Sequence, residues 1–299
     1  MTVAGTHEER VRLFYSEGPL GEGAGRAYSV LMDHTWHHGA RDVEQAGGSL
    51  RHAQAAMQRR LTSVARIRPG HLVLDFGAGP GGATVAMAES TGAVFIGVSN
   101  TETLNQRARE LAATRGMTAR TSFLTLGDED YKTLLAWPDA SLDALVFLES
   151  VCHLPDRQAF FNAAFRVLRP GGRLAGLDWI QRPYGECQTP EQIQEFIGPV
   201  CDRIRLAGLG TVESYSRMMR IAGFKVRHAK DEFPGEPCWG STPPADREKW
   251  LTYDGPSGEL FQDGKRALDA ARDAGVFSVA WWAATKPRWR SRRWPWSRR

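Results

Sequence analysis

Long apolar runs are absent from this sequence of 299 residues. No stretch approaches the roughly 18 consecutive apolar residues that indicate a membrane-spanning helix. The first residues also lack the apolar segment of a secretory signal peptide. Hydrophobic residues make up 42% and charged residues 24% of the chain, a balance typical of soluble globular proteins. We therefore expect a cytoplasmic protein with no integral membrane segment.

Cysteine is scarce as well. The four cysteines, Cys152, Cys187, Cys201 and Cys238, lie far apart and form no C-x-x-C pair. A zinc ribbon or a thioredoxin-type site therefore has no support. The sequence also contains no G-x-S-x-G or H-E-x-x-H motif, so the common hydrolase signatures are missing.

Acidic residues are missing from one end of the chain. Residues 286–299 hold seven basic residues and no acid, although the whole chain carries a net charge of only +4. The rest of the chain is close to neutral, which is not typical of a nucleic-acid-binding protein. We expect this basic tail to be a disordered terminus, with contact to an anionic membrane surface as the alternative.

Short apolar runs alternate with helix-length amphipathic runs from residue 71 onwards. The pattern predicts strands at 71–77, 93–99, 121–127, 142–150, 172–179, 224–233 and 276–285. It predicts helices at 81–90, 103–116, 156–168 and 211–223. Nearly continuous apolar strands separated by helices are typical of a doubly wound α/β sheet.

This pattern divides the chain into three predicted parts. We expect a helical cover segment at 1–65, a core at 66–285 and the basic tail at 286–299. The core pattern loosens at about 183–210, where a helical lid is predicted, and at about 234–275. We treat both stretches as insertions.

The strongest local motif is LDFGAGPGG, residues 74–82, between a predicted strand and a predicted helix. It contains the G-x-G-x-x-G pattern of dinucleotide-binding loops. Asp75 argues against a pyrophosphate there, because like charges repel each other. The same carboxylate suits S-adenosylmethionine, which carries an ammonium group and a sulfonium and has no phosphate.

At these residues the chain resembles the class I S-adenosylmethionine-dependent methyltransferases, over roughly residues 60–180. The resemblance implies a Rossmann-like, seven-stranded sheet whose last two strands are antiparallel at one edge. It also implies S-adenosylmethionine as cofactor. GVSNTE (97–102) resembles the strand end that meets the ribose of the cofactor. LGDED (126–130) resembles the segment beside the adenine, and the fourth predicted strand also matches a motif of the family. The cofactor residues implied are Asp75, Gly77, Ala78, Gly79, Gly81, Ser99, Asn100, Asp128, Glu129 and Leu148.

Two strand ends suggest the acceptor. FLESVCHLPD (147–156) resembles sterol C-methyltransferases and tocopherol-type methyltransferases, which carry a glutamate at the position of Glu149 and a histidine a few residues later. LDWIQRPYG (177–185) resembles the geranyl diphosphate C-methyltransferases, and it supplies Trp179, Arg182 and Tyr184. Alternatively, Glu149 is a solvated carboxylate at the end of a strand, and Trp179 is a packed core residue beside Arg182 at the surface.

The N-terminal stretch AYSVLMDHTWHHG, residues 27–39, is dense in aromatic and imidazole groups. We expect Tyr28, Trp36, His37 and His38 to cover the acceptor. The histidines, Arg41 and Arg182 could then hold a diphosphate, with Mg²⁺. Two alternatives stay open: plain helix packing, and a metal site, since His34, His37 and His38 would share one helix face.

Together these features predict methylation of an alkene carbon of geranyl or farnesyl diphosphate. An alkene attacks the methyl directly and becomes a carbocation, so aromatic faces and a base are needed. We predict Glu149 as the base, and Trp179, Trp36, Tyr28 and Phe147 as the aromatic faces.

The alternative is O-, N- or C-methylation of a diphosphate-free sterol, quinone, phenol or prenylated alkaloid. In that case His153 could serve as the base. Nucleic-acid methylation and a non-catalytic cofactor-binding scaffold are weaker alternatives. The predicted partner is a small isoprenoid rather than a nucleic acid, and we expect a homo-oligomer.

Overall fold

The structure is a computed structural model that describes residues 5–17, 21–182, 189–239 and 244–288. Within these residues, seven strands form one sheet in the order β3-β2-β1-β4-β5-β7-β6. The strands are β1 (Leu72–Phe76), β2 (Val94–Ser99), β3 (Thr121–Thr125), β4 (Leu142–Leu148), β5 (Leu168–Gln181), β6 (Lys225–Asp231) and β7 (Phe277–Thr285). The predicted Rossmann-like α/β sheet is confirmed.

The last two strands are antiparallel to each other at one edge of the sheet, as expected. Strands β1 to β5 pair in parallel, whereas β7 pairs antiparallel with both β5 and β6. Strand β6 therefore runs in the same direction as β5, and only β7 is reversed.

Helices cover both faces of the sheet. The described helices are α1 (His7–Tyr15), α2 (Ala24–Met32), α3 (Arg41–Gln45), α4 (Leu50–Val64), α5 (Gly82–Thr91), α6 (Glu102–Thr114), α7 (Asp128–Thr133), α8 (Arg157–Val167), α9 (Pro190–Ile204), α10 (Val212–Ile221), α11 (Pro244–Leu251) and α12 (Gly258–Asp273). Within the described part of the chain, no helix is long and apolar enough to cross a membrane.

The alternation of side chains along β4 shows how the core is divided. Ala144, Val146 and Leu148 join the hydrophobic cluster on one face, and Leu145 and Phe147 join the cluster on the other. Successive side chains of a strand point to opposite faces. Both faces of this strand are therefore buried under helices, as expected for a parallel sheet.

Two local expectations differ from the structure. The strand expected at 172–179 begins earlier, at Leu168, with a register shift opposite β4 and a positive φ of +84° at Gly171. The stretch that carries His34, His37 and His38 is not helical, because α2 ends at Met32. The three histidines therefore do not share a helix face.

Some predictions fall outside the described residues. Tyr184, Cys187 and most of the basic tail lie there. The other three cysteines, Cys152, Cys201 and Cys238, are free thiols.

Candidate active site

A cavity of about 210 Å³ lies at the carboxyl ends of β1, β2 and β4. Open α/β sheets bind their ligands at this edge. Residues that follow the three strands form its floor, and the segment between α1 and α4 covers it. The predicted cover over the strand ends is therefore adjacent to the glycine loop.

The glycine loop turns sharply after β1. Gly77, Gly79 and Gly81 have φ values of +74°, +54° and +83°, a region that favours glycine. A Cβ at Gly81 would lie 2.6 Å from the Cβ of Ala108, so α5 and α6 can approach each other only because this residue is glycine. The loop keeps its backbone open towards the cavity, where a ligand could approach closely.

Asp75 lies at the end of β1 and lines the cavity. It is buried, and it accepts a hydrogen bond of 2.5 Å from the hydroxyl of Thr84. Burial raises the pKa of Asp75 to about 6, although the hydrogen bond from Thr84 opposes the shift. A buried carboxylate at this place suits a ligand with a positive charge, because such a ligand stabilises its ionised form.

Glu149 follows β4 and carries the most constrained carboxylate of the cavity. Its φ is +53°, and its N–H donates to the carbonyl of Leu177 at 2.7 Å. One carboxylate oxygen accepts from the N–H of His38 at 2.6 Å and from its Nδ1 at 2.8 Å. The other accepts from Nε1 of Trp179 at 2.6 Å.

These contacts set the charge of Glu149. Burial alone would raise its pKa, but the electrostatic interaction with His38 and the hydrogen bonds from the ring and N–H of His38 outweigh burial, and the pKa lies below the usual value. The side chain is 7% exposed. The cavity therefore contains a buried carboxylate that is ionised at neutral pH.

Aromatic rings form much of the remaining wall. Trp36 lies against Tyr28 and Tyr15, with ring centroids 5.3 and 6.2 Å apart. Trp250 continues this wall, 6.1 Å from Tyr28, and Trp239 stacks on His38 at 4.5 Å. The cavity can therefore hold an apolar acceptor next to the carboxylate of Glu149.

Comparison with known proteins identifies the family. The model described as a methyltransferase domain matches residues 74–176. A relative, 27-O-demethylrifamycin SV methyltransferase of Amycolatopsis mediterranei, is 32% identical over 214 residues, which cover 69% of this chain and 73% of that protein. The chain belongs to the class I S-adenosylmethionine-dependent methyltransferases.

Two further proteins, one similar in sequence and one similar in fold, are named for different acceptors. The 24-methylenesterol C-methyltransferase 2 of Oryza sativa subsp. japonica is 28% identical over 197 residues. These residues are 64% of this chain, which spans about half, 52%, of that protein. Geranyl diphosphate C-methyltransferase of Streptomyces coelicolor shares the fold, with a TM-score of 0.71 at 14% identity over 95% of this chain and 98% of that one.

The structure brings most of the predicted cofactor residues of the methyltransferase to the cavity. Those that line it are Asp75, Gly77, Ala78, Gly79, Ser99, Asn100 and Leu148. Gly81 lies behind the loop, against Ala108. Asp128 begins α7 and Glu129 pairs with Lys132, and neither lines the cavity.

The predicted acceptor residues are also partly assembled. Those that line the cavity are Tyr28, Trp36, His37, His38, Glu149, His153 and Trp179. Phe147 does not line it, because it packs against Phe160 on the other face of the sheet. Alternation along β4 would place Phe147 and Glu149, which lie two residues apart, on the same face. Glu149 reaches the cavity instead through its positive φ, which the sequence does not reveal.

Two arginines that were expected to hold a diphosphate lie outside the cavity. The guanidinium of Arg182 pairs with Asp231 at 2.9 Å and also donates to the carbonyls of Phe233 and Glu236. Arg41 pairs with the Glu236 carboxylate. Their acidic partners come from β6 and the loop after it, some 50 to 200 residues along the chain, so the sequence did not reveal these pairs.

Two of the histidines expected to hold a diphosphate or to act as a base also hydrogen-bond within the protein. His37 is 1% exposed, and its ring hydrogen-bonds to Gln58 at 3.0 Å and to the carbonyl of His38 at 2.8 Å. His153 hydrogen-bonds to the hydroxyl of Tyr15 at 3.0 Å, and burial lowers the pKa of His153 to about 4.

Sequence reasoning missed several residues of the cavity. Tyr15 comes from α1, and Trp239 and Trp250 come from the second predicted insertion. Thr84, which donates to Asp75, lies one turn into α5. The sequence gives one indication that the two tryptophans belong to the site: they are large aromatic residues in a stretch that is otherwise rich in glycine, proline and charged residues.

Proposed function

We propose that this methyltransferase transfers a methyl group to an alkene carbon of an apolar, isoprenoid-like acceptor that carries no diphosphate. The observation that carries the proposal is the ionised carboxylate of Glu149, buried beside the rings of Trp179, Trp36 and Tyr28. An apolar acceptor needs no negative charge beside it before the reaction. A carbocation formed during the reaction is stabilised by such a charge.

The cofactor would lie across the glycine loop. Bound S-adenosylmethionine supplies a methyl group on a positively charged sulfur. Asp75 would hold the ammonium group, and Ser99 and Asn100 would face the ribose, since all three line the cavity at the ends of β1 and β2. The methyl group would then point towards Glu149 at the end of β4.

The walls around Glu149 would stabilise the carbocation that follows the attack by the alkene. A cation over an aromatic face gains about 0.5–2 kcal/mol. A preorganised carboxylate in a water-poor site stabilises the same charge further. Deprotonation next to the cationic carbon then restores an alkene, which requires a base in the cavity.

The contacts of the basic residues favour an acceptor without a diphosphate. Arg182 would have to leave Asp231, and breaking such a largely buried pair costs about 3–5 kcal/mol. Arg41 would have to leave Glu236. The relative from rice is named as a sterol C-methyltransferase. The Streptomyces coelicolor structure contains geranyl diphosphate and Mg²⁺, but its likeness at 14% identity extends to the fold alone. An acceptor without phosphate also gives Mg²⁺ no role.

O-methylation of a hydroxyl is the second candidate. The relative from Amycolatopsis, which is 32% identical, is named for methylation at an oxygen of a rifamycin. Glu149 and His38 form a polar pair at the end of the cavity where the methyl donor would lie. This pair could hydrogen-bond to a hydroxyl group of such an acceptor. The two candidates differ in the atom that receives the methyl.

A product screen tests the proposal. The protein is incubated with S-adenosylmethionine and, separately, with farnesol, a sterol with a side-chain alkene, menaquinol, geranyl diphosphate and farnesyl diphosphate. Each reaction is run with Mg²⁺ and with EDTA, and samples without protein serve as controls. We expect a product one methylene heavier from a diphosphate-free acceptor, unaffected by EDTA. Methylation of the diphosphates alone, in a Mg²⁺-dependent reaction, would overturn the proposal.

A further inference from the structure

The site contains a second group that can take a proton. We propose that Nε2 of His38, rather than the carboxylate of Glu149, is the proton acceptor of the methyl-transfer reaction. This inference deepens the proposed function and applies whether the acceptor is an alkene or a hydroxyl.

The carboxylate of Glu149 is poorly suited to accept a proton. Three donors already occupy it: the N–H and Nδ1 of His38 on one oxygen, and Nε1 of Trp179 on the other. Hydrogen bonds to the charged form lower the proton affinity of a carboxylate. The carboxylate therefore acts by its charge and by holding its donors in place.

The hydrogen bond from His38 fixes the tautomer of its ring. An ionised carboxylate can only accept, so Nδ1, 2.8 Å from the Glu149 oxygen, must carry the hydrogen. When the ring acts as a base it is neutral, and with the hydrogen on Nδ1 its lone pair lies on Nε2. Among the described residues, no side chain or backbone group hydrogen-bonds to Nε2 of His38.

Packing holds the ring at the cavity wall. The imidazole stacks on Trp239, with ring centroids 4.5 Å apart and planes at 24°, and meets the edge of Trp179 at 6.2 Å. His38 lines the cavity, and 16% of its side chain is exposed. A ring that lines the cavity and is held at Nδ1 by a carboxylate has the arrangement of a base that is oriented by a third group.

The charges around His38 come from three elements. Glu149 faces it from the end of β4, and His37 precedes it in the same segment. On α12, Lys265 and Arg272 lie on the ring of Trp239, 5.6 and 5.7 Å from its centroid. Both cations are paired with acids on α12, whereas Glu149 touches the imidazole directly, so the imidazolium formed by proton transfer is stabilised.

The proton transfer balances for both kinds of acceptor. The π electrons of an alkene form the new bond to the methyl carbon as the methyl–sulfur bond breaks and its electron pair stays on sulfur. A C–H bond next to the cationic carbon then breaks, its electrons form the new alkene, and the proton goes to Nε2. For a hydroxyl, an oxygen lone pair attacks the methyl and the O–H proton goes to Nε2. The imidazolium releases the proton to water after the product leaves.

His38→Asn separates the two roles of the residue. The amide nitrogen of asparagine can still donate to Glu149, but the variant has no group in place of Nε2. We expect kcat to fall by about 10²- to 10⁴-fold, the usual contribution of a general base, while the dissociation constant of S-adenosylmethionine stays the same. His52→Asn is the matched control, since His52 is exposed on α4. Added imidazole should restore part of the turnover of His38→Ala.

A second readout does not need the acceptor. In ¹⁵N NMR spectra of the side chains, His38 should show the tautomer with hydrogen on Nδ1, and Glu149→Gln should alter that signal. If no acceptor of the screen is turned over, the proposed function fails while the NMR result still decides the tautomer. An Nε2–H tautomer, or full turnover by His38→Asn, would overturn the inference.

Discussion

At the scale of single residues, the site is organised around two carboxylates with opposite pKa shifts. Burial raises the pKa of Asp75, whereas the contacts with His38 lower that of Glu149 below its usual value despite burial. Groups whose environments push their pKa values apart mark functional sites more often than structural ones. We assign Asp75 to the cofactor and Glu149 to the acceptor.

Glu149→Gln removes the charge and keeps the size of the side chain. We expect kcat to fall by about 10²- to 10³-fold, as when a preorganised electrostatic group is lost. Binding of S-adenosylmethionine, measured by calorimetry, should change little. Circular dichroism controls for folding. Full turnover by this variant would contradict the assigned role of Glu149.

The affinity for S-adenosylmethionine should depend on pH through Asp75. Burial raises the pKa of this carboxyl to about 6. An ammonium group lowers the pKa when it binds, so binding favours the ionised form, and affinity should fall as the pH drops below about 6. Calorimetric titrations across this range check the prediction, and the dependence should disappear in Asp75→Asn. An affinity in the wild-type protein that is constant down to pH 5 (about one unit below that pKa) would argue against this contact.

At the scale of elements, the N-terminal segment joins the two halves of the site. The carbonyl of His34 accepts from the N–H of Gly82 at the start of α5, and His38 reaches Glu149 four residues later. The same segment thus contacts the cofactor loop and the acceptor side. A displacement of one contact should therefore affect the other.

Gly82→Ala tests this coupling. A Cβ at Gly82 would lie 2.2 Å from the carbonyl oxygen of His34, so the segment must move. We expect a loss of about 1–3 kcal/mol in the free energy of unfolding, as for other overpacked sites, together with a higher KM for the acceptor. Gly127→Ala is the control, because nothing lies within 4 Å of its Cβ position. Equal behaviour of the two variants in denaturation and kinetics would contradict the coupling.

Arg182 should act on stability rather than on catalysis. Its side chain and that of Asp231 are 16% and 18% exposed. Arg182→Gln should reduce the free energy of unfolding by about 3 kcal/mol, because it leaves a buried charge without its partner. Arg220→Gln, which breaks an exposed pair with Glu213, should cost less than about 1 kcal/mol. If Arg182→Gln instead raised the KM of a diphosphate acceptor without loss of stability, the diphosphate hypothesis would return.

At the scale of the whole molecule, the sheet could be predicted and the acceptor wall could not. Each strand and the glycine loop are encoded locally, by short apolar runs and by positive-φ glycines such as Gly77. Trp239 meets His38 across about 200 residues of sequence, and Arg182 meets Asp231 across about 50. Contacts of this kind depend on how the insertions pack on the sheet, for which a single sequence has no periodic signal.

The position of the transferred methyl group tests the central claim most directly. S-adenosylmethionine labelled with ¹³C in its methyl group is incubated with the protein and with the acceptor found in the screen, and the product is examined by ¹³C NMR. We predict a labelled methyl bonded to carbon, next to a new or shifted alkene, in a product without phosphate. A labelled methyl on oxygen, or one found only in a prenyl diphosphate, would contradict the account.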